Sequence, residues 1–353
     1  MKRPCFRPGI GVYLYKNELQ IELFSVKKRM DLEADEVAVV VIGLLDGFHS
    51  IDEILEQAKI IDPNYNLENL QQLLESLSKL GLVYDAFVSS SLISQNYGRE
   101  IDFLNSYPSM GKNYTQVFEQ ISKSRILVIG CGGLGSNIIE NLARSGVRNI
   151  TAYDNDLVNI ENICNQSIFT MRDVGKYKVN VIGNFINSLN KDNNFIPCVK
   201  KVTKDNVDEI IQNFDFVFSC ADSPSVKEVS SFVSNACLKY KIPHIVGGGY
   251  SGHRAALGMF VIPEKTACWN CYNSIEENTR ISSREVIISP SNSMSAYPLI
   301  NIVAGIQVLE FFSFYTNPNN LNLINSFSEL YLHDLNVDKT IVSRECYNHD
   351  KEG

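Results

Sequence analysis

The segment Gly130-Cys131-Gly132-Gly133-Leu134-Gly135 constrains this chain more than any other. It follows four apolar residues, Ile126-Leu127-Val128-Ile129, and opens a predicted helix at Ser136. Glycines so placed permit a tight strand-to-helix turn and let backbone N–H groups approach a phosphate at the helix N-terminus. Asp154 lies 19 residues beyond Gly135, at the end of the next predicted strand, where a carboxylate can hold a ribose hydroxyl. Taken alone, these residues fit any mononucleotide or dinucleotide site, and equally a tight turn without a ligand.

From residue 125 onward the pattern alternates strand and helix. Strands are predicted at 125–129, 150–153, 195–199, 214–220 and 242–246, with helices at 173–189 and 225–240 between them. A further strand is predicted at 257–262, then an apolar helix at 296–314 and strands near 330–334 and 340–343. Such alternation specifies an α/β fold with a Rossmann-like, doubly wound, mostly parallel sheet. The longest apolar run, residues 37–45, is too short for a membrane helix of about 20 residues. No apolar segment follows Lys2, Arg3 and Arg7, so a secretory signal is not expected and a cytoplasmic location is.

Residues 1–90 read as a separate winged-helix-like module. A hairpin at 12–15 and 20–26 precedes helices at 34–46, from Ser50, and at 66–80, and a strand at 82–88 follows. Ser50 and Glu53 have capping-box spacing, and leucines recur at i, i+3 and i+4 through the third helix. This module holds nine Lys/Arg against fourteen Asp/Glu, and its third helix carries Glu68 and Glu75 against Lys79. Phosphates would be repelled, so nucleic acid is not the expected partner. An exposed strand edge that accepts a peptide by strand addition is the better reading. Residues 91–123 are predicted as a linker and dimer-crossing segment, and 124–353 as the nucleotide-binding domain.

The residues after Asp154 favour a triphosphate over a nicotinamide cofactor. Asp154-Asn155-Asp156 is followed by Asn162, Gln166 and then Asp173-Val174-Gly175-Lys176-Tyr177-Lys178. ATP that reacts with a carboxylate needs a cation to offset phosphate charge and a carboxylate to hold Mg²⁺. Lys178 can supply the first. Asp222, just beyond the strand at 214–220, can supply the second. The order of these motifs, with Ala221-Asp222-Ser223 and a later Cys-x-x-Cys, resembles the ThiF/MoeB family, bacterial relatives of the ubiquitin-activating enzymes. That resemblance, over about residues 95–349, implies that Gly130, Gly132, Gly133 and Gly135 line an ATP site with Asp154 and Asp156. It places Asn162 and Lys178 on the phosphates, Gln166 among the nucleotide-binding residues, and Asp222 on magnesium. It also implies a homodimer in which Arg99 enters the partner subunit's ATP site. One departure stands out: the family's Asn-x-x-Arg-Gln is here Asn162-Ile163-Cys164-Asn165-Gln166. Arg172 and Lys176 are the nearby cations that could replace the missing arginine, and phosphorylation competes with adenylation as the activating step.

Cys268 and Cys271 have zinc-ligand spacing, and Cys346 and His349 repeat it, so the four together would close a structural Cys₃His zinc site. A redox Cys-x-x-Cys is the competing reading. No cysteine lies between Cys271 and Cys346, which removes the position that thioester-forming relatives use. Cys131, Cys164, Cys220 and Cys237 read as small buried apolar residues. The N-terminal module resembles peptide-recognition elements that hold leader peptides in the microcin C and pantocin type of antibiotic pathway. The expected function is therefore Mg·ATP-dependent adenylylation of a carboxylate or amide on a ribosomally made precursor peptide. Adenylation of a ubiquitin-like sulfur carrier is the alternative, and an NAD-dependent oxidoreductase a weaker one.

Overall fold

The computed structural model describes residues 1–15, 18–23, 28–86, 97–106, 114–279 and 295–344. They form two compact units, one of residues 1–120 with 315–317 and the other of 121–314 with 318–353.

In the first unit, β1 (Pro4–Phe6) pairs antiparallel with β5 (Val83–Asp85). A separate three-stranded antiparallel sheet has the order β2 (Ile10–Tyr15), β3 (Glu18–Leu23), β4 (Lys28–Glu33). The hairpin is thus as expected, but β1 and β4 are additional. β4 is highly charged and has no apolar run to reveal it; it forms because β3 presents an edge. Three helices complete the unit: α1 (Glu36–Gly43), α2 (Ile51–Ile61) and α3 (Leu67–Lys79). Ser50 caps α2 by a reciprocal exchange with Glu53, at 2.7 and 3.3 Å. Gly81, at φ +73°, turns the chain out of α3. Leu70, Leu74 and Leu77 of α3 pack with Ile21, Val41 and Ile54 in one apolar core. Helices α4 (Gly98–Asn105) and α5 (Tyr114–Lys123) follow.

The second unit is built on a nine-stranded sheet. Its parallel part runs β10 (His244–Val246), β9 (Phe216–Ser219), β6 (Arg125–Ile129), β7 (Asn149–Tyr153), β8 (Asn194–Cys198). Beyond β10 the sheet continues antiparallel through β12 (Arg254–Val261), β13 (Ser326–Tyr331) and β14 (Asn336–Ile341), and the short β11 (Gly249–Ser251) pairs with β12. Residues 126–129 and all of β9 are buried, so both faces of the parallel strands are covered. The helices are α6 (Gly133–Arg144), α7 (Lys178–Leu189), α8 (Val207–Ile211), α9 (Val226–Lys239), α10 (Trp269–Thr279) and α11 (Tyr297–Thr316). The chain forms β6, β7 and β8 toward one edge and then returns to place β9 on the other side of β6. This reversal makes the crevice at the carboxyl ends of the strands where α/β proteins bind ligands.

α11 corrects the reading of apolar runs. Among the described residues it is the one helix long and apolar enough to cross a membrane, at 20 residues. It packs instead into this unit: Gln307 donates to the Leu257 carbonyl at 2.9 Å, and Glu310 accepts from Asn322 at 2.7 and 2.8 Å. Phe311 of α11 meets Phe216 edge-on at 5.0 Å, and Phe216 meets Phe260 at 5.3 Å. Truncation at the centre of this cluster leaves a large cavity, so Phe216→Ala is expected to cost about 3–5 kcal/mol, read from the urea unfolding midpoint.

Candidate active site

The site begins with strand register. Ile129 pairs with Tyr153 on one side and with Ser219 on the other. The segments that follow, at Gly130, Asp154 and Cys220, therefore leave the sheet side by side. They line a cavity of about 820 Å³ together with Asn162, Gln166, Lys178 and Tyr250.

The turn between β6 and α6 admits no side chain at two of its glycines. Gly130 has φ +90°, and a Cβ there would lie 2.7 Å from the Ala221 nitrogen. A Cβ on Gly135 would collide with the Gly130 carbonyl, so the first turn of α6 can approach the strand only without one. Gly132, the N-cap of α6, has open space where its Cβ would be and no side-chain cap. The first N–H groups of α6 are accordingly directed to the cavity, with the positive end of the helix dipole. This cradle fits a phosphate group.

Asp154 has a structural task. Its two oxygens accept the Cys131 N–H at 2.6 Å and the Asp156 N–H at 2.7 Å. A carboxylate so fixed ties the glycine turn to the β7 end and keeps lone pairs for a ribose. Lys178 is only 6% exposed and donates to Asp156 at 3.0 Å, while its backbone N–H bonds the Asp156 carbonyl at 3.0 Å. The ammonium is thus held at the cavity wall at the start of α7. Asn162 accepts the Asn159 N–H at 2.8 Å, and Gln166 is buried with its Oε1 unpartnered among the described residues. An unmet polar atom in a polar cavity fits a ligand there.

The cavity thus gathers Gly130, Gly132, Gly133, Asp154, Asp156, Asn162, Gln166, Lys178 and Asp222. Gly135 stands behind it as packing. Arg172 and Lys176 are not among the lining residues, and Lys176 is bound to Asp173 at 3.0 Å. Lys201 lines it instead, donating to Ser223 at 3.1 Å. The sequence reading omits Lys201, although its place just beyond β8, at the ligand end of a parallel strand, is a usable signal. Asp222 is the lone lining carboxylate beyond β9, which suits a Mg²⁺ held chiefly by phosphates and water. Among the described residues no three His, Cys, Asp or Glu side chains gather as a metal site. Arg99 lies exposed on α4 of the first unit.

Gly247, Gly248 and Gly249 carry two different roles. A Cβ on Gly247 would strike the Trp269 ring and one on Gly248 the Gln307 amide, whereas Gly249 faces open space. Packing demands that the first two lack a side chain, while Gly248 and Gly249 both line the cavity. Trp269 belongs to the cysteine motif, which does open a helix, α10. Cys268 and Cys271 are buried, with sulfurs 3.7 Å apart. Two thiolates on one tetrahedral zinc, at Zn–S of about 2.3 Å, stand about 3.8 Å apart, so this half-site fits the metal. Cys346 and His349 lie outside the described residues. Of the remaining cysteines, Cys131 and Cys237 are buried, and burial raises both thiols well above their ordinary pKa. Cys164 is exposed, so the apolar reading fails for it; Cys220 is half-buried beside the cavity, and burial raises its thiol above the ordinary pKa.

Residues 104–348 match the ThiF family. The chain belongs to this family. Among curated relatives it is 30% identical over 185 residues to the adenylyltransferase and sulfurtransferase UBA4 of Debaryomyces hansenii, covering 52% of this chain and 40% of that protein. It is 24% identical over 192 residues to the molybdopterin-synthase adenylyltransferase of Salmonella typhimurium, covering 54% and 73%. The match thus spans less than half the length of the UBA4 relative. Among solved structures, Escherichia coli MccB with succinimide superposes with a TM-score of 0.77 at 20% identity over the full length of both chains. PaaA superposes with a TM-score of 0.73 at 17% identity, covering 95% and 98%. The described residues, those of the N-terminal unit included, share the fold of MccB and PaaA.

Two substitutions test the site. Asp154→Ala removes the acceptor of two backbone N–H groups, and is expected to lower nucleotide affinity more than Asp154→Asn, which keeps one oxygen; calorimetric titration distinguishes them. Lys178→Ala is expected to weaken binding of Mg·ATP at least tenfold and of adenosine little, because a charged hydrogen bond to phosphate contributes about 1.5–3 kcal/mol.

Proposed function

We propose that this chain uses Mg·ATP to adenylylate a carboxylate or amide of a ribosomally made precursor peptide. The observation that carries the reading is the single cavity in which the α6 N-terminus, the buried Lys178 and the Asp222 carboxylate converge. A substrate carboxylate oxygen attacks the α-phosphorus, the bond from that phosphorus to the bridging oxygen breaks, and pyrophosphate leaves. The N–H groups of α6 stabilise charge on the α-phosphate, and Lys178, with Asn162, receives the departing phosphates. Asp222 holds Mg²⁺. Arg99 of a second copy completes the phosphate site, which makes the working unit a homodimer. Zinc would be held by Cys268, Cys271, Cys346 and His349, a closed set of four protein ligands that suits a structural role.

The first unit grips the peptide. Its three-stranded sheet has β2 at one edge, where Tyr13, Leu14 and Tyr15 are exposed. A peptide can add there as a further strand, with apolar side chains to match. The solved structure of MccB with MccA and AMPCPP supports this reading. The UBA4 and molybdopterin-synthase relatives favour that second reading. It assigns no task to residues 1–90.

Incubation with Mg·ATP and precursor peptides, followed by mass spectrometry, separates the readings. AMP plus pyrophosphate with a modified peptide is the expected result. ADP plus phosphate overturns the adenylation step, and turnover only with a sulfur-carrier protein overturns the substrate. Leu14→Asp is expected to weaken peptide binding at least tenfold and leave ATP binding unchanged. For zinc, elemental analysis is expected to find one ion per chain, and Cys268→Ser to lose it with a lower thermal midpoint.

A further inference from the structure

Tyr250 belongs to no motif of the nucleotide site, yet its side chain enters it. β11 and β12 form a hairpin in which Tyr250 pairs with Ala255 and Gly249 with Ala256. The half-buried ring reaches across the cavity to the first turn of α6. A Cβ built on Gly133 would lie 2.5 Å from the Tyr250 hydroxyl and 3.1 Å from the Ile300 Cδ1. The absent side chain of Gly133 therefore leaves the room that the hydroxyl occupies. Ile300 of α11 closes the other side of the same space. Among the described residues the hydroxyl has no hydrogen-bond partner, and a half-buried phenol without one is a donor available to a ligand. Burial, then the nearby Asp222 carboxylate, raise the phenol above its ordinary pKa, so it stays protonated across the neutral range.

The direction of a bound nucleotide follows from fixed points. Asp154 is the ribose acceptor and Gly132-Gly133 the phosphate cradle, so the phosphate next to the ribose lies over the first turn of α6. We infer that the Tyr250 hydroxyl donates a hydrogen bond to this α-phosphate. It stands on the α6 side of the cavity, whereas Lys178 stands at the start of α7. A neutral donor there holds the phosphorus that is attacked without adding a charge. With Asn165 in place of the family arginine, this donor takes a share of the phosphate contacts. The inference rests on the nucleotide reading above and adds one contact to it.

The test uses the full chain and binding alone, so it needs no peptide. Wild type and Tyr250→Phe are titrated calorimetrically with a Mg-bound non-hydrolysable ATP analogue, with AMP, and with adenosine. The variant is expected to bind the analogue and AMP each about tenfold more weakly and adenosine with unchanged affinity. Equal affinity of both proteins for AMP overturns the inference, as does weakening for the analogue alone, which would place the contact beyond the α-phosphate. An equal loss for adenosine also overturns it, because the ring would then act through packing. If wild type binds none of the three, the nucleotide reading itself falls. If wild type binds all three and the variant matches it, only the Tyr250 contact falls.

Discussion

The close approach of α6 to β6 underlies the whole nucleotide unit. It exists because Gly135 has no Cβ to meet the Gly130 carbonyl, and because Gly130 turns at a positive φ against Ala221. Once that approach is made, the N–H groups of α6 point to the crevice between β6 and its neighbours. The Asp154 carboxylate then locks the turn through the Cys131 N–H. A single added methyl at Gly135 would move the helix dipole, the turn and the ribose acceptor together.

Electrostatics give the cavity its chemical character. A lysine this deeply buried is unfavourable without a partner, and Asp156 provides one at 3.0 Å. The substitution of Asn165 for the family arginine leaves less fixed positive charge than the family pattern has. Lys201 and the neutral side chains of Asn162, Gln166 and Tyr250 line the cavity wall instead.

Packing away from the nucleotide explains features that a functional reading claims too quickly. Gly247 and Gly248 exist because Trp269 and Gln307 occupy their Cβ space. The Cys-x-x-Cys segment thereby supports the glycine run from behind through Trp269. The apolar length of α11 likewise serves the core of this unit, where Gln307 and Glu310 are fully bonded.

Much of the parallel sheet was legible because its strands are short apolar runs separated by amphipathic helices, and buried on both faces. The cavity residues of the glycine turn, Asp154, Lys178 and Asp222 were legible too, since each stands at a strand's carboxyl end or opens a helix. β4 was not, because its pairing comes from β3 and not from its own residues. Nor was the failure of Arg172 and Lys176 to line the cavity, since Lys176 is held by Asp173 three residues away. The amino-acid sequence by itself determined the glycine turn, the order of the elements and the family, since these depend on local spacing along the chain. Only the tertiary structure decided which side chains share the cavity, bringing in Lys201 and leaving out Arg172. Strand register and the space beside each glycine, not nearness in the chain, set those contacts.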